Sequence, residues 1–510
     1  MNLSLFSKKK NLKYILFITL AVILATMSTY WITSLSYRNK IPQLPALTNL
    51  PEAFQEQLKY ADKIAKRNPT SDNLGYLGMV YHSGANYENA KTCYQLAVKR
   101  NKENWIWNYY LGHLYKELSE ETTSISCFQD IVKKQPANYF AWYYLGEAYL
   151  TTGSITQAEI AFNKASDFRF DPGGDRQNKR TDLFPLEVYA KYQLARLYIK
   201  NNQPDKAETT LKDIISNYKT FGPSYRLMAN VFNTRGDIPW SKYYMTRAND
   251  LNENSTPVDT LIDRLSRLSR SDLYLLKKID EAYNSYNPEW TVLLLKNGLR
   301  YIPDNKYLIS KALKLFIKMD SLDLGLSLMN QHLQKYKKED AELKEVAELL
   351  SDKQLNAQAL VYYKQLQENK SDNPVIITGM AMSMWETGKK KESLELITKM
   401  LTDAGKDTSA LMEGVYFLII TNEFALAKQY LSELTKIAPN NTKIAKYSGM
   451  ISETEGNFNK AIISYEKALK YDPKDLATIE YLGNLYINLN YWEKAMNFFR
   501  KSLEIHPNNP

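Results

Sequence analysis

The chain is 510 residues long, 44% apolar and sparing in glycine (19) and proline (18), which excludes a disordered chain, a collagen-like one and a single small core. Its net charge of +10 points to nucleic acid only until the charge is located. Six basic residues and no acid stand in residues 1–40, and the remainder is close to balanced, so no nucleic-acid partner is expected.

The first element is an uncharged run at 14–36, preceded by a basic segment at 1–13. As a helix rising ~1.5 Å per residue it reaches about 34 Å, enough for a hydrocarbon core of ~30 Å. Lys8, Lys9, Lys10 and Lys13 precede it; only Arg38 and Lys40 follow closely. That imbalance predicts a single-pass anchor with the amino terminus inside and the bulk of the chain outside. In a Gram-negative bacterium the outside is the periplasm. A cleaved signal peptide competes with this reading, against the length of the run and the lack of a small-residue cleavage site. Residues 37–70 read as a proline-punctuated linker and a capping helix between Pro51 and Pro69.

The centre of the chain is a repeat. Trp142, Leu145, Gly146 and Tyr149, spaced W-x2-L-G-x2-Y, are followed by Ala158, Phe162 and Ala165, spaced A-x3-F-x2-A. Each set lies on one helical stripe. Gly146 and Ala158 let two helices approach to about 8–10 Å, and the large residues fill the space around that contact. One such hairpin cannot bury its face alone; it needs neighbours. Gly78, Gly112 and Gly146 recur at intervals of 34 residues, which places first helices at Ser71, Trp105 and Tyr139. An insertion at 173–187 breaks the frame, and hairpins resume at Val188 and Gly222. A second insertion, 256–271, precedes an unbroken frame from Asp272 through Lys306, Asp340, Pro374, Thr408, Thr442 and Leu476. The reading is five repeats in 71–255 and seven in 272–510.

Over residues 71–509 these motifs resemble the tetratricopeptide-repeat superfamily. The resemblance implies an all-α fold: a right-handed superhelical solenoid of helical hairpins, here preceded by one N-terminal transmembrane helix. It also implies first helices lining a concave groove that holds a peptide or a partner's helix. In that superfamily first-helix positions 2, 5, 6 and 9 commonly face the groove. Here they carry Tyr76 and Met79, then Tyr109, Tyr110 and His113, then Phe140, Tyr143 and Tyr144, then Tyr189, Tyr192 and Arg196, then Arg226. The carboxylate clamp of chaperone-binding members is not matched. An aromatic strip offers broad apolar area with polar tips and suits an extended peptide, with about half of the rings expected in the open.

No nucleophile elbow, phosphate-binding glycine loop or zinc-protease helix is present, so the chain is read as non-enzymatic and without a cofactor. The histidines, His82, His113, His332 and His506, read as surface polar residues, with no register for a metal site. Cys93 and Cys127 stand 34 apart, one helix spacing by register, which opposes a disulfide and makes them semi-buried apolar residues. The 173–187 insertion, with Asp175, Arg176, Lys179, Arg180 and Asp182, reads as a solvated loop, with a partner-contacting loop as the alternative because insertions in arrays often decorate a binding face. Phe499, Leu503 and Ile505 close the last repeat without a following cap, a candidate docking or self-association end. The functional expectation is a membrane-tethered scaffold or assembly factor that binds protein or peptide partners. A cytochrome c maturation-like holder of unfolded polypeptide, and a glycan-binding module or accessory subunit of a membrane enzyme, are the alternatives.

Overall fold

The computed structural model describes residues 3–167, 184–249, 251, 256–285, 287–369 and 372–505. Among them every regular element is an α-helix. The helix Leu3–Arg38 contains, at Thr19–Arg38, a stretch long and apolar enough to cross a membrane. The chain divides into two compact units, Met1–Lys311 and Ala312–Pro510.

Within the first unit the capping helix Glu52–Arg67 precedes five hairpins whose first helices begin at Ser71, Trp105, Tyr139, Leu186 and Gly222. A further hairpin follows, Asp272–Asn284 with Pro288–Tyr301. In the second unit first helices begin at Asp340, Pro374, Thr408, Thr442 and Leu476. Most of these starts are capped by a side chain in the preceding residue, as Asn138 accepts from Ala141 N and Asp407 from Ser409 N.

The turn inside each hairpin is set by the backbone. Among the described residues, fourteen positions after every first-helix start in the frame except Asp272 comes a left-handed residue: Ala85 (φ 58°), Ser119 (φ 60°), Gly153 (φ 79°), Asn202 (φ 56°), and so on to Asn490 (φ 62°). The next amide bonds back to the carbonyl five residues earlier, as Asn86 N to Tyr81 O (2.9 Å) and Tyr491 N to Tyr486 O (2.8 Å). This six-to-one bond closes the first helix and redirects the chain into the second. It recurs at Ser321, Leu355 and Lys389, where the side-chain signature is weak, so the frame there rests on the turn rather than on the motif.

Hairpin packing follows the small-residue rule. A Cβ on Gly146 would lie 2.7 Å from the Phe162 ring, so only glycine admits that contact. Ala158, Phe162 and Ala165 are fully buried beneath it. Where alanine is usual at the facing position, Ser124 stands instead and donates to the Gly112 carbonyl at 2.9 Å; Ser393 does the same to Ala381 O at 2.6 Å. A buried hydroxyl is tolerated because the neighbouring helix satisfies it. Trp142 and Tyr149 are only half-buried: they line an outer depression of about 350 Å³ with Gln129, Val132 and Ile160.

The described part of each insertion departs from a plain loop. Residues 173–183 of the first, with their charged side chains, lie outside the described residues. Its end is core: Phe184 meets Phe221 edge-on at 5.0 Å and Leu186 is buried, so the fourth first helix starts two residues before Val188. The second insertion folds into a helix, Thr260–Leu268, and packs inside the first unit rather than separating two arrays.

The three described histidines are not surface residues. His82 and His332 are fully buried and His113 nearly so; His506 lies outside the described residues. His82 meets the rings of Tyr87, Tyr94 and Tyr274, and His332 stacks on Tyr336. Tyr274 comes from the hairpin after the inserted helix, a long-range contact that repeat register does not contain. Cys93 and Cys127 are free and buried, and burial pushes the Cys127 thiol up to about 12.

Candidate functional site

The site is the wall made by the first helices Ser71–His82, Trp105–Glu117 and Tyr139–Thr151. Helical spacing puts Tyr109, Tyr110 and His113 on one stripe of the middle helix. Tyr109 meets Tyr144 edge-on at 6.2 Å and His113 at 4.8 Å, while Tyr110 stacks on Tyr94 at 5.8 Å and on Trp107 at 5.9 Å. The rings are thereby fixed by one another, and their polar tips point off the wall.

The Tyr109 and Tyr110 tips are engaged by the chain's own inserted segment. The Tyr109 hydroxyl donates to the carboxylate of Asp259, which lies 3.7 Å from His113 Nε2. Tyr110 donates to the Leu261 carbonyl at 2.8 Å. From the capping helix, Gln57 Nε2 donates to Leu268 O at 2.8 Å, and Ser269 Oγ donates to Ser83 O at 2.7 Å. Asp259 also caps the helix it precedes, accepting from Leu261 N (2.9 Å) and Ile262 N (3.3 Å). Leu261, Ile262, Leu265 and Leu268 form one face, with Leu265 fully buried in the core of the first hairpins. Thr260, Arg264 and Arg267 point outward. The segment is an amphipathic helix lying in the groove.

Four of the groove candidates therefore meet in one place, Tyr109, Tyr110, His113 and Tyr144, and Tyr76 is half-buried against the core of the first hairpins, where Leu265 also lies. The expected open strip is a covered one, because Tyr109 and Tyr110 are fully buried and Tyr144 is 8% exposed. The remaining candidates do other work. Tyr143 is buried and accepts from Gln193 Nε2 at 3.1 Å; Arg196 is exposed and donates to Gln193 Oε1 at 2.9 Å. Tyr189 and Tyr192 flank Phe221, at 5.5 and 5.7 Å, and Phe140 is half-buried against the same core. Arg226 donates to Ala248 O at 3.1 Å. Phe499 and Ile505 are half-buried and Leu503 is exposed beside Trp492 and Met496. Sequence reasoning missed Gln57, Asp259, Leu265 and Ser269. An acid followed by Leu261, Ile262, Leu265 and Leu268 is a capped amphipathic helix, and that signal was available.

Burial dominates the electrostatics. It raises the Asp259 carboxyl, and the bonds from Tyr109, from the Ile262 and Leu261 amides and from Tyr144 offset part of that. Burial holds the His113 imidazole well below its usual value; Lys116, His82 and Lys278 push the same way and Glu117 opposes. A histidine kept neutral in the fold contributes stability that is complete above its unfolded value of about 6.5 and is lost as pH falls below it. His113→Gln is accordingly expected to resist acid better than the parent, the difference reaching about 1.4 kcal/mol one pH unit below 6.5. Thermal unfolding of both chains at pH 7.5 and 5.5 measures it; equal losses would refute the buried neutral imidazole.

The second unit carries the equivalent positions. Tyr416 is 37% exposed and stacks at 5.9 Å on Tyr447; Tyr481 is half-buried and stacks on Tyr465. Met412 and Met450 stand at the positions that hold Tyr109 and His113 in the second repeat. Among the described residues no group of three metal-ligating side chains converges.

Models of the tetratricopeptide repeat match residues 75–104, 122–175, 189–220, 448–475 and 478–509. A TPR repeat-containing protein of Methanocaldococcus jannaschii is 24% identical over 408 residues, 66% of this chain and 67% of that protein. The photosystem I assembly protein Ycf3 of Acaryochloris marina is 39% identical over 64 residues, 12% of this chain and 39% of that protein. Among solved structures, MamA is 19% identical with a TM-score of 0.29, covering 34% of this chain and 92% of that one. The Cut9–Hcn1 hetero-tetramer is 14% identical with a TM-score of 0.28, covering 89% of this chain and 90% of that one. With five repeat segments matched and an all-helical fold of stacked hairpins, the chain belongs to the tetratricopeptide-repeat superfamily.

Proposed function

We propose that this protein is a non-enzymatic scaffold, tethered to a membrane by residues 14–36, that holds segments of other proteins against its first-helix walls. The single observation that carries the reading is the helix Thr260–Leu268. It occupies one wall through an apolar face with Leu265 buried, a cap carboxylate, two hydrogen bonds accepted by its backbone carbonyls and one donated by Ser269. A wall that accepts this segment has the chemistry to accept a partner's. The anchor supports the reading by raising the local concentration of whatever is bound at the membrane. Tyr30, near the end of the apolar stretch, donates to Asn68 Oδ1 at 2.7 Å, and the Arg100 guanidinium lies 5.9 Å over Tyr30 and 5.1 Å over Tyr37. Those contacts tie the anchor to the start of the array. The basic residues before the apolar run favour an outward-facing array.

The test is a photoreactive residue in place of Tyr416, illuminated in intact cells. A crosslinked protein of defined mass is expected, and protease added to spheroplasts should digest the array. Crosslinking no greater than in the unilluminated control would sink the scaffold reading, and protection of the array would sink the topology.

A further inference from the structure

The inserted segment has the build of a bound peptide that happens to be covalently attached. Its helix is nine residues, Thr260–Leu268, well below the ~12–15 residues an isolated helix needs in water, so its order comes from the wall. Non-helical residues flank it at 257–259 and 269–271. Its specific contacts fall at its ends and on one face: Asp259 on Tyr109, the Leu261 carbonyl on Tyr110, Leu265 in the core and the Leu268 carbonyl on Gln57. The wall rings stack on one another, Tyr110 on Trp107 and Tyr94, through contacts that involve no residue of the segment. His113 Nε2 is buried with no hydrogen-bond partner, aimed at the same carboxylate.

Resting on the scaffold reading above, we propose that residues 256–271 are a tethered stand-in for a partner's helix, and that the wall recognises an amphipathic helix with an acidic cap. The pattern that fits is an Asp or Glu, any residue, two adjacent aliphatics, and leucines at the sixth and ninth places after the acid. The acid engages Tyr109 and the helix amides together. The adjacent aliphatics straddle the first two hairpins, and the later leucines fill the space under the capping helix. The tethered segment is present at high effective concentration, so a free partner binds only by exchanging with it. The partner must either match the pattern more completely or arrive with a second contact.

Hydrogen exchange on the full chain in detergent micelles reads the exchange directly. The amides of 261–268 are expected to exchange at least a hundredfold faster than those of 109–114, because the segment opens without the wall unfolding. A synthetic peptide of residues 256–271 is expected to bind the Leu261→Ser, Leu265→Ser chain, whose own segment is released, and at least tenfold more weakly when the peptide carries Asp259→Ala. Equal protection of segment and wall overturns the proposal. So does a folded double variant, by circular dichroism, that fails to bind the peptide. If the double variant does not fold, exchange in the unaltered chain decides alone. Capture at Tyr416 together with a segment as protected as its wall would leave the scaffold reading standing and remove this one.

Discussion

Phe162→Ala is expected to cost about 3–5 kcal/mol, the range for deleting a fully buried aromatic ring whose site cannot collapse. The ring is completely enclosed, lies against the backbone of Gly146 and meets Tyr143 at 5.9 Å. Both helices of the hairpin are held at the separation the ring sets, so alanine leaves a void rather than a closer contact. Hairpins in such an array are stabilised by nearest neighbours. Loss of the third one therefore weakens its joints to the second and fourth as well. Chemical unfolding of the full chain in micelles should show a lowered midpoint and a transition that broadens or splits. Ile160→Ala, two positions away and 55% exposed, is the control and should stay within about 0.5 kcal/mol. A Phe162→Ala chain that unfolds like this control would mean that the Gly146 contact does not set the hairpin.

The second large effect is expected at Asp259. Alanine there removes a helix cap, worth about 0.5–2 kcal/mol. It also leaves the buried Tyr109 hydroxyl without its acceptor, a cost of about 1–3 kcal/mol. The two losses share one carboxylate and do not simply add. Asparagine keeps one oxygen for the cap, where Asp259 Oδ1 accepts from Leu261 N and Ile262 N, and sets its amide NH2 where Oδ2 met the Tyr109 hydroxyl, which can accept. It needs no buried charge, so Asp259→Asn should hold the segment at least as well as the parent at neutral pH. The sign follows from the raised carboxyl. The folded state favours the protonated form, so Asp259 stabilises most below its unfolded value of about 3.9 and loses this as pH rises through its folded value. The advantage of asparagine should grow over that interval and then level off. Thermal unfolding of the three chains between pH 4 and 8 reads it. Alanine and asparagine behaving alike would show that the Tyr109 contact contributes nothing.

The hairpins were legible because their causes are local. Glycine and alanine at the crossing and large residues on either side of it recur every 34 residues, and each position's neighbours are supplied by the same repeat or the next. The frame survives in 306–407 for a reason the motif does not carry: a left-handed residue and a six-to-one bond end each first helix whatever the side chains, as at Asp320 (φ 57°) and Gln354 (φ 59°). The candidate site was legible in part. Tyr109, Tyr110, His113 and Tyr144 were placed on one wall from their repeat positions, and they share it. Their exposure was misjudged because exposure is not a property of a repeat position. It depends on what lies over the wall, here a segment about 150 residues later in the chain than Tyr109.

Periodicity therefore dictated the helices, their pairing and the family, since a helix stripe and its facing glycine are written within 34 residues. It also exposed two breaks in the frame. The fate of the second break was set by burial across the fold. Asp259 and Leu265 have an ordinary helical spacing in the sequence, and nothing local says which surface will take them. The wall takes them because it offers a tyrosine hydroxyl for the acid beside an apolar surface for the leucines. His82 shows the same division: its place on the stripe and its contacts with Tyr87 and Tyr94 follow from the frame, while its contact with Tyr274 comes from a hairpin beyond the inserted segment.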